Sequence, residues 1–123
     1  MLDHISIQCD DAVASARFYD AVLATIEGAR WIEFGPVIGY GIGDRPSFWI
    51  APRTDDIPNR QSHIAFRAQT RSAVRAFVAA AVAQGAEVLH EPRIWPEYHP
   101  NDCGGFVRDP DGHNVEAVCH YPE

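Results

Sequence analysis

Two histidines and one glutamate have the residue types and the strand positions expected of a metal site. His4 and His63 each open an apolar alternating run, and Glu116 lies within a third. Because side chains alternate between the two faces of a strand, each run has an apolar face and a face that carries one of these residues. Two imidazoles and a carboxylate with open coordination positions suit iron(II), and zinc, manganese or nickel are also compatible. If the sheets face each other or curl into a cup, the three side chains can converge on one divalent ion.

Each of these residues also has a simpler interpretation when it is taken alone. A histidine near a strand start is usually a surface or hydrogen-bonded residue, and a glutamate in a strand is usually solvated. The metal-site hypothesis depends on two independent patterns that agree. Strand parity places all three residues away from the apolar faces, and His4 and His63 occupy equivalent positions in an internal repeat.

The internal repeat has an offset of 59 residues. His4-Ile5 matches His63-Ile64, and Phe18 matches Phe77 at the same offset. A long unit present in two copies indicates a duplicated supersecondary module, since a solenoid needs at least three repeats.

The sequence pattern of each copy predicts one strand, one helix and three further strands. In the first copy these are a strand over 3–9, a helix over 11–24 with Asp10 as N-cap, and strands over 29–34, 37–42 and 47–50. In the second they are a strand over 62–68, a helix over 71–84 between Thr70 and Gly85, and strands over 87–90, 105–108 and 114–119. Helix caps, glycine stops and turn residues set these boundaries. The prediction is an α+β domain over 1–123 with two βαβββ modules, about 1–50 and 61–123, a linker at 51–60 and an insertion at 91–104.

Composition excludes several other classes of protein. The chain has 123 residues, 46% of them hydrophobic, and a net charge of −7, which argues against nucleic acid as a partner. No apolar run approaches the roughly 20 residues of a membrane span. All 10 basic residues are arginine, so chemistry based on lysine is excluded. Three widely spaced cysteines and the lack of a signal peptide at the start indicate a cytoplasmic protein without a disulfide framework.

At the residues named above the sequence resembles the vicinal oxygen chelate superfamily. This superfamily includes glyoxalase I, bleomycin-resistance proteins, fosfomycin-resistance enzymes and extradiol dioxygenases. The resemblance is carried by residues 2–5 and 62–66, and most specifically by 105–116 with its Asp-Pro-Asp-Gly turn. It implies an open, cup-shaped mixed β-sheet barrel with the helices outside. It also implies that His4, His63 and Glu116 hold a divalent metal, which binds adjacent oxygens of a small-molecule substrate.

One position departs from the pattern of glyoxalase I. Members similar to that enzyme usually have a fourth ligand, a glutamate, on the last strand of the first module, where this chain is predicted to place Trp49. The chain therefore looks more like the three-ligand members, and we expect a metal-dependent enzyme of glyoxalase or dioxygenase type. The alternative is a non-catalytic protein of bleomycin-resistance type that sequesters a small aromatic or apolar compound. A homodimer is expected because members commonly pair, sometimes completing the site across the interface.

Several further residues are predicted to contribute to the site. In the insertion, Tyr98 or His99 could act as general acid or base, and Arg93 could bind a carboxylate of the substrate. The alternative is that Trp95 and Tyr98 only pack the loop against the sheet. Other predicted substrate contacts are Trp49, Arg67 and His120. Two remaining histidines are expected elsewhere, His113 at the surface and His90 in a structural role.

Overall fold

The two halves of the chain repeat the same order of elements and the same strand topology. The computed structural model describes residues 1–123. The first half consists of β1 (Ile5–Cys9), α1 (Ala12–Ala24), β2 (Ala29–Phe34), β3 (Val37–Gly41) and β4 (Phe48–Pro52). These strands form a mixed sheet, called sheet 1, in the order β1-β4-β3-β2, with β1 and β4 parallel and the other pairs antiparallel.

The second half consists of β5 (His63–Arg67), α2 (Arg71–Ala83), β6 (Val88–Ile94), β7 (Cys103–Arg108) and β8 (Asn114–Cys119). Its strands form sheet 2 in the corresponding order β5-β8-β7-β6, again with one parallel pair, β5 and β8. The predicted α+β class with two βαβββ modules is therefore confirmed. Neither helix has the length and apolar character needed to cross a membrane.

Both helices begin at a side-chain cap. The α1 cap is Asp11, one residue later than predicted. Its carboxylate accepts a hydrogen bond from the backbone N–H of Ala14 at 3.0 Å, whereas the backbone N–H of Asp10 donates to the side chain of Asp111. In α2 the predicted cap, Thr70, accepts from the backbone N–H of Ala73 at 3.0 Å.

The predicted insertion in the second module is shorter than expected. Strand β6 continues to Ile94 and β7 already begins at Cys103, so only 95–102 lie in the loop. Two register shifts in the pairing of β6 with β7, on either side of His90, interrupt the alternation that marks a strand in the sequence. Strand β4 likewise runs to Pro52, two residues into the predicted linker.

One hydrophobic core lies between the two modules. The helices pack against each other, and aromatic rings from both sheets meet beside them. Phe48 of β4 has its ring centroid 4.8 Å from that of Tyr19 and 5.1 Å from that of Phe66 on β5. Since the helix-covered faces of both sheets share this core, their uncovered faces, called the open faces, point away from each other within one chain.

A buried polar link also joins the modules. The hydroxyl of Tyr19 donates to the carboxylate of Asp109 at 2.6 Å, and burial raises the pKa of Tyr19 well above its usual value. Asp109 also accepts hydrogen bonds from the backbone N–H groups of Asp111 and His113. His113 was expected at the surface but is buried beside the start of β5, where its ring accepts a hydrogen bond from the backbone N–H of Ser62 at 2.9 Å.

Candidate functional site

A cavity of about 460 Å³ lies on the open face of sheet 2 and contains two of the three predicted metal ligands. Its floor is formed by residues of β5, β7 and β8, and the loop after β6 supplies one wall. The lining residues are His63, His90, Trp95, Tyr98, Asp102, Phe106, Asn114 and Glu116. The Cα of Glu116 pairs with Ala65 on one side and with Phe106 on the other, so the glutamate stands in the middle of the sheet.

His63 and Glu116 contact each other directly. Nε2 of His63 lies 3.0 Å from Oε2 of Glu116, and the glutamate is only 7% exposed. Burial raises the pKa of Glu116, an effect that His63 opposes and that the nearby Asp102 reinforces. A carboxylate that has lost its hydration in this way gains most from a cation, because the cation replaces the lost favourable interaction with water.

The backbone beside Glu116 leaves room for this carboxylate. A Cβ atom added to Gly104 on β7 would lie 2.8 Å from Oε1 of Glu116 and 3.5 Å from Oδ1 of Asp102. The absence of a side chain at Gly104 therefore opens space between two buried carboxylates. An imidazole and a carboxylate in contact are suitable metal donors, so this half of the predicted ligand set fits a divalent ion.

His4 does not join the other two predicted ligands within one chain. It precedes β1 of sheet 1, and its Nδ1 lies 2.7 Å from Oδ1 of Asp3, whose Oδ2 accepts a hydrogen bond from Arg45 at 2.7 Å. The hydrogen bond from His4 and the contact with Arg45 lower the pKa of Asp3. No group of three or more His, Cys, Asp and Glu side chains in the chain is arranged to hold a metal. The expected convergence fails here because the two open faces point in different directions.

The open face of sheet 1 is an aromatic surface. Trp49 is paired with Ser6 just as Glu116 is paired with Ala65, so Trp49 and Glu116 are repeat-equivalent. The indole lies over Gly39, whose added Cβ would be 2.9 Å from it, and stacks on Phe34 with the planes 5° apart. Phe34 is 61% exposed. We call Phe34 and Trp49 the aromatic platform.

The loop residues both pack and line the cavity. Trp95 is buried, and its indole N–H donates to the carbonyl of Gly104 at 2.9 Å. Tyr98 stacks on Trp95 with ring centroids 6.1 Å apart and is 71% exposed at the cavity mouth. His99 lies outside the cavity lining, where its ring is 5.5 Å from that of His120.

The predicted substrate-binding arginines do not line the cavity. The guanidinium of Arg93 lies 3.3 Å from the ring centroid of Trp95, and its Nη2 is 3.2 Å from Oε1 of Glu97. A backbone hydrogen bond and Arg93 lower the pKa of Glu97. Arg67 is exposed at the far end of β5. His120 follows β8, with its Nδ1 3.8 Å from Oδ2 of Asp102.

Five lining residues were absent from the predicted site, and one of them, Trp95, was expected only to pack the loop against the sheet. Phe106 and Asn114 share the face of Glu116 by strand parity, so the alternation of β7 and β8 could have identified them. Asp102 was missed because the sequence placed it inside a long loop. His90 was expected to be structural, and the irregular pairing of β6 hid its position on the open face.

The comparisons with known proteins agree with this fold. The Glyoxalase-like domain family matches residues 4–118. None of the curated proteins matches the chain. Among solved structures, a glyoxalase/bleomycin resistance protein from Albidiferax ferrireducens is 26% identical with a TM-score of 0.86, and the alignment covers 97% of this chain and 98% of that one.

Two more distant structures share the fold. A glyoxalase/bleomycin resistance protein/dioxygenase family enzyme from Burkholderia phytofirmans is 19% identical with a TM-score of 0.75, covering 97% of this chain and 98% of the other. A lactoylglutathione lyase from Agrobacterium tumefaciens is 20% identical with a TM-score of 0.68, covering 97% and 92%. With the duplicated βαβββ modules and the match over nearly its whole length, the chain belongs to the Glyoxalase-like domain family of the vicinal oxygen chelate superfamily.

Proposed function

We propose that the protein is a metal-dependent enzyme of glyoxalase or dioxygenase type that acts on a small oxygen-rich molecule. Its metal site combines His63 and Glu116 with His4 of the partner subunit in a homodimer. The observation that carries this proposal is the contact between His63 and the buried Glu116 beside an open cavity. Iron, zinc, manganese and nickel all suit such a ligand set.

The exposed aromatic platform of sheet 1 and the open cavity of sheet 2 support assembly with a second copy. In a two-fold dimer, the open face of sheet 1 in one subunit can cover the open face of sheet 2 in the other, and the same contact then forms twice. Such an arrangement buries the aromatic platform, which otherwise leaves Phe34 in water. It also brings the face that carries His4 towards the face that carries His63 and Glu116.

The residues of this chain have separate tasks in the proposed reaction. When bound, a divalent ion supplies a Lewis acid that stabilises negative charge on adjacent substrate oxygens. His63 and Glu116 hold that ion, and Gly104 keeps the space beside the carboxylate free. Trp95 and Phe106 form an apolar wall that orients a planar substrate and excludes water. Tyr98, whose exposed hydroxyl lies at the cavity mouth, is the proposed general acid or base.

The first test is the metal content of protein purified without chelator. We expect one metal ion per chain in the wild type and loss of that metal in His63→Ala and Glu116→Gln. His99→Ala is the matched control, because it removes an exposed histidine outside the cavity and should retain the metal. Protein without stoichiometric metal, whose content His63→Ala does not change, would contradict the proposal. That result favours the alternative, a binding protein for a small aromatic or apolar compound.

A second test asks whether the ligands come from two subunits. His4→Ala and His63→Ala variants should each lack metal on their own. After unfolding and refolding as a mixture, half of the dimers contain one chain of each kind, and one of their two sites has all its ligands. About one quarter of the sites should then bind metal. Mixing restores nothing if all ligands come from the same chain, and this outcome would reject the shared site.

A third test distinguishes the reaction types. If the bound metal is iron, oxygen uptake is measured with a panel of catechols. Uptake that requires Glu116 supports ring cleavage by a dioxygenase. Iron protein that binds catechols without oxygen uptake favours a lyase or isomerase of the same family.

A further inference from the structure

Asp102 is a buried carboxylate in the cavity wall that the proposed metal site does not use. The residue is 8% exposed, and no hydrogen-bond donor of the chain reaches its side chain. The nearest basic group is Nδ1 of His120 at 3.8 Å, on a side chain that is itself 48% exposed. A carboxylate that is largely withdrawn from water and has no close partner is costly, so a partner supplied from outside the chain would bind there favourably.

The rest of the cavity offers acceptors and few free donors. Oδ1 of Asn114 is buried and has no hydrogen-bond partner. The one N–H of the Trp95 indole is already bound to the carbonyl of Gly104. Arg93 is held by Glu97 and the Trp95 ring, and no arginine is among the lining residues. A ligand of this cavity therefore meets several unpartnered acceptors, and the only basic side chains in the lining are the imidazoles of His63 and His90.

We propose that Asp102 is a specificity residue that binds an ammonium group of the substrate, and that the substrate class is an aromatic amine. This inference rests on the proposed function, in which Glu116 holds the metal and Asp102 remains as a carboxylate of the cavity wall that the metal does not use. The rings of Trp95, Tyr98 and Phe106 provide faces for the aromatic part of the ligand and a favourable environment for a cation. A substrate with a carboxylate or phosphonate in place of the ammonium would face Asp102 and be repelled.

The test uses three catechols that differ mainly in side-chain charge: dopamine, 4-ethylcatechol and 3,4-dihydroxyphenylacetate. Binding to the metal-loaded full-length protein is measured anaerobically by titration calorimetry, so that no turnover occurs. A hydrogen-bonded ion pair predicts that dopamine binds about tenfold more tightly than 4-ethylcatechol, and that the acid binds least. In Asp102→Asn, dopamine and 4-ethylcatechol should bind with similar affinity.

The matched control is Glu91→Gln. Glu91 is an exposed carboxylate of β6 outside the cavity lining, so the variant loses the same net charge from the same module. It should retain the preference for dopamine. An equal loss of preference in Glu91→Gln would show that net charge, and not Asp102, selects the ligand.

A metal-free measurement separates this inference from the proposed function. Phenethylamine and phenylacetate have no catechol oxygens, and they are titrated into chelator-treated wild type and Asp102→Asn. A preference for phenethylamine that requires Asp102 supports the inference even where the purified protein contains no metal. An Asp102→Asn variant that keeps the wild-type preference, or a wild type that prefers phenylacetate, overturns it. Loss of metal from Asp102→Asn would assign the residue to the metal instead and would also overturn it.

Discussion

The two open faces belong to sheets of the same strand topology, but one carries a flat aromatic platform and the other a cavity. Trp49 and Glu116 occupy equivalent positions, but the residue paired with Trp49 on the next strand is Gly39, whereas Phe106 is paired with Glu116. In sheet 1 the large side chain therefore lies flat over a glycine and produces a platform. In sheet 2 the small floor residue is Gly104, the aromatic rings stand at the sides, and a cavity results. Duplication supplied equivalent positions, and exchanging large and small residues between them gave one flat face and one concave face.

The shared core differs from both open faces in how much its side chains contribute to the stability of a single chain. Core residues of the two modules interlock around Tyr19, Phe48 and Phe66, so stability of the whole chain depends on them. The open faces contain the buried carboxylates and exposed aromatic rings, which stabilise a single chain little. Substitutions in the two regions should therefore give different phenotypes.

The largest expected difference is between two phenylalanines of sheet 1. Phe48 is 3% exposed in the shared core, so Phe48→Ala should lower the free energy of unfolding by about 3–5 kcal/mol through the cavity it leaves. Phe34→Ala on the exposed platform should change it by less than about 1 kcal/mol. Urea denaturation at a protein concentration low enough to give monomers measures both values.

The same pair also tests the proposed dimer. Light scattering over a concentration series should show weaker self-association for Phe34→Ala, because the platform is the apolar part of the proposed interface. Equal destabilisation of the monomer by both variants would mean that the platform belongs to the core and would remove the distinction between the two regions.

The next difference is between neighbouring glycines of β7. A Cβ at Gly105 would lie 2.6 Å from Cγ2 of Val78 in α2, so Gly105→Ala should destabilise the chain by about 1–3 kcal/mol. A Cβ at Gly104 meets the end of the Glu116 side chain at 2.8 Å, which can move aside. Gly104→Ala should therefore largely retain stability and lose metal affinity as Glu116 is displaced from His63.

Thermal denaturation and metal titration of the two alanine variants measure this contrast. Because the residues are adjacent and the substitution is the same, each variant controls for the other. Unchanged metal affinity in Gly104→Ala would argue that Glu116 does not need its present position to bind a cation.

Local patterns in the sequence were sufficient to predict most of the fold. The Thr70 cap and the alternation of β1, β5 and β8 depend on neighbouring residues, and the repeat needs only a comparison of the chain with itself. Each of them is present in the structure. Strand β6 was predicted to be too short, since its register shifts break the period of two. The Asp11 cap was displaced by one residue because either of two adjacent aspartates can cap a helix, and backbone geometry decides between them.

The site was predictable only in part because parity specifies a face and not the direction in which that face points. Glu116 and His63 are on one sheet, so parity was enough to bring them together. His4 is on the other sheet, and the packing of the helices between the sheets directs it elsewhere. The roles of Asp102 and Arg93 depend on the course of a loop, which has no periodic signal in the sequence.

A smaller effect is expected from the polar link between the modules. Tyr19→Phe removes the buried hydrogen bond to Asp109 but leaves that carboxylate with two backbone donors, so the loss of stability should be about 1.5 kcal/mol. Metal content should not change, since Tyr19 lies in the core and not on an open face. Urea denaturation with metal analysis checks both points, and a coupled loss of metal would show that the core also positions the site.

The smallest expected effect is the loss of folding stability caused by burial of the Glu116 carboxylate in the metal-free protein. Burial raises the pKa of Glu116 above its usual value of 4.5 in the folded chain, so the folded state holds its proton more tightly than the unfolded state. Stability therefore falls as the pH rises from below 4.5 through the folded-state pKa, and this loss persists at neutral pH. Glu116→Gln should make the chelator-treated protein slightly more stable at pH 7 and leave its stability nearly unchanged at pH 4.

Addition of the metal should reverse the order of stability at pH 7, so that the wild type becomes more stable than Glu116→Gln. A ligand that binds only the folded state stabilises it by an amount that grows with the logarithm of the ratio of ligand concentration to Kd. The glutamine variant lacks this stabilisation. Melting curves with and without metal, at both pH values, measure the crossing. If Glu116→Gln were less stable than the wild type in chelator at pH 7, the contact with His63 would outweigh the cost of burial. Glu116 would then be a structural residue like those of the shared core, and the contrast between core and open face would fail at its most important position.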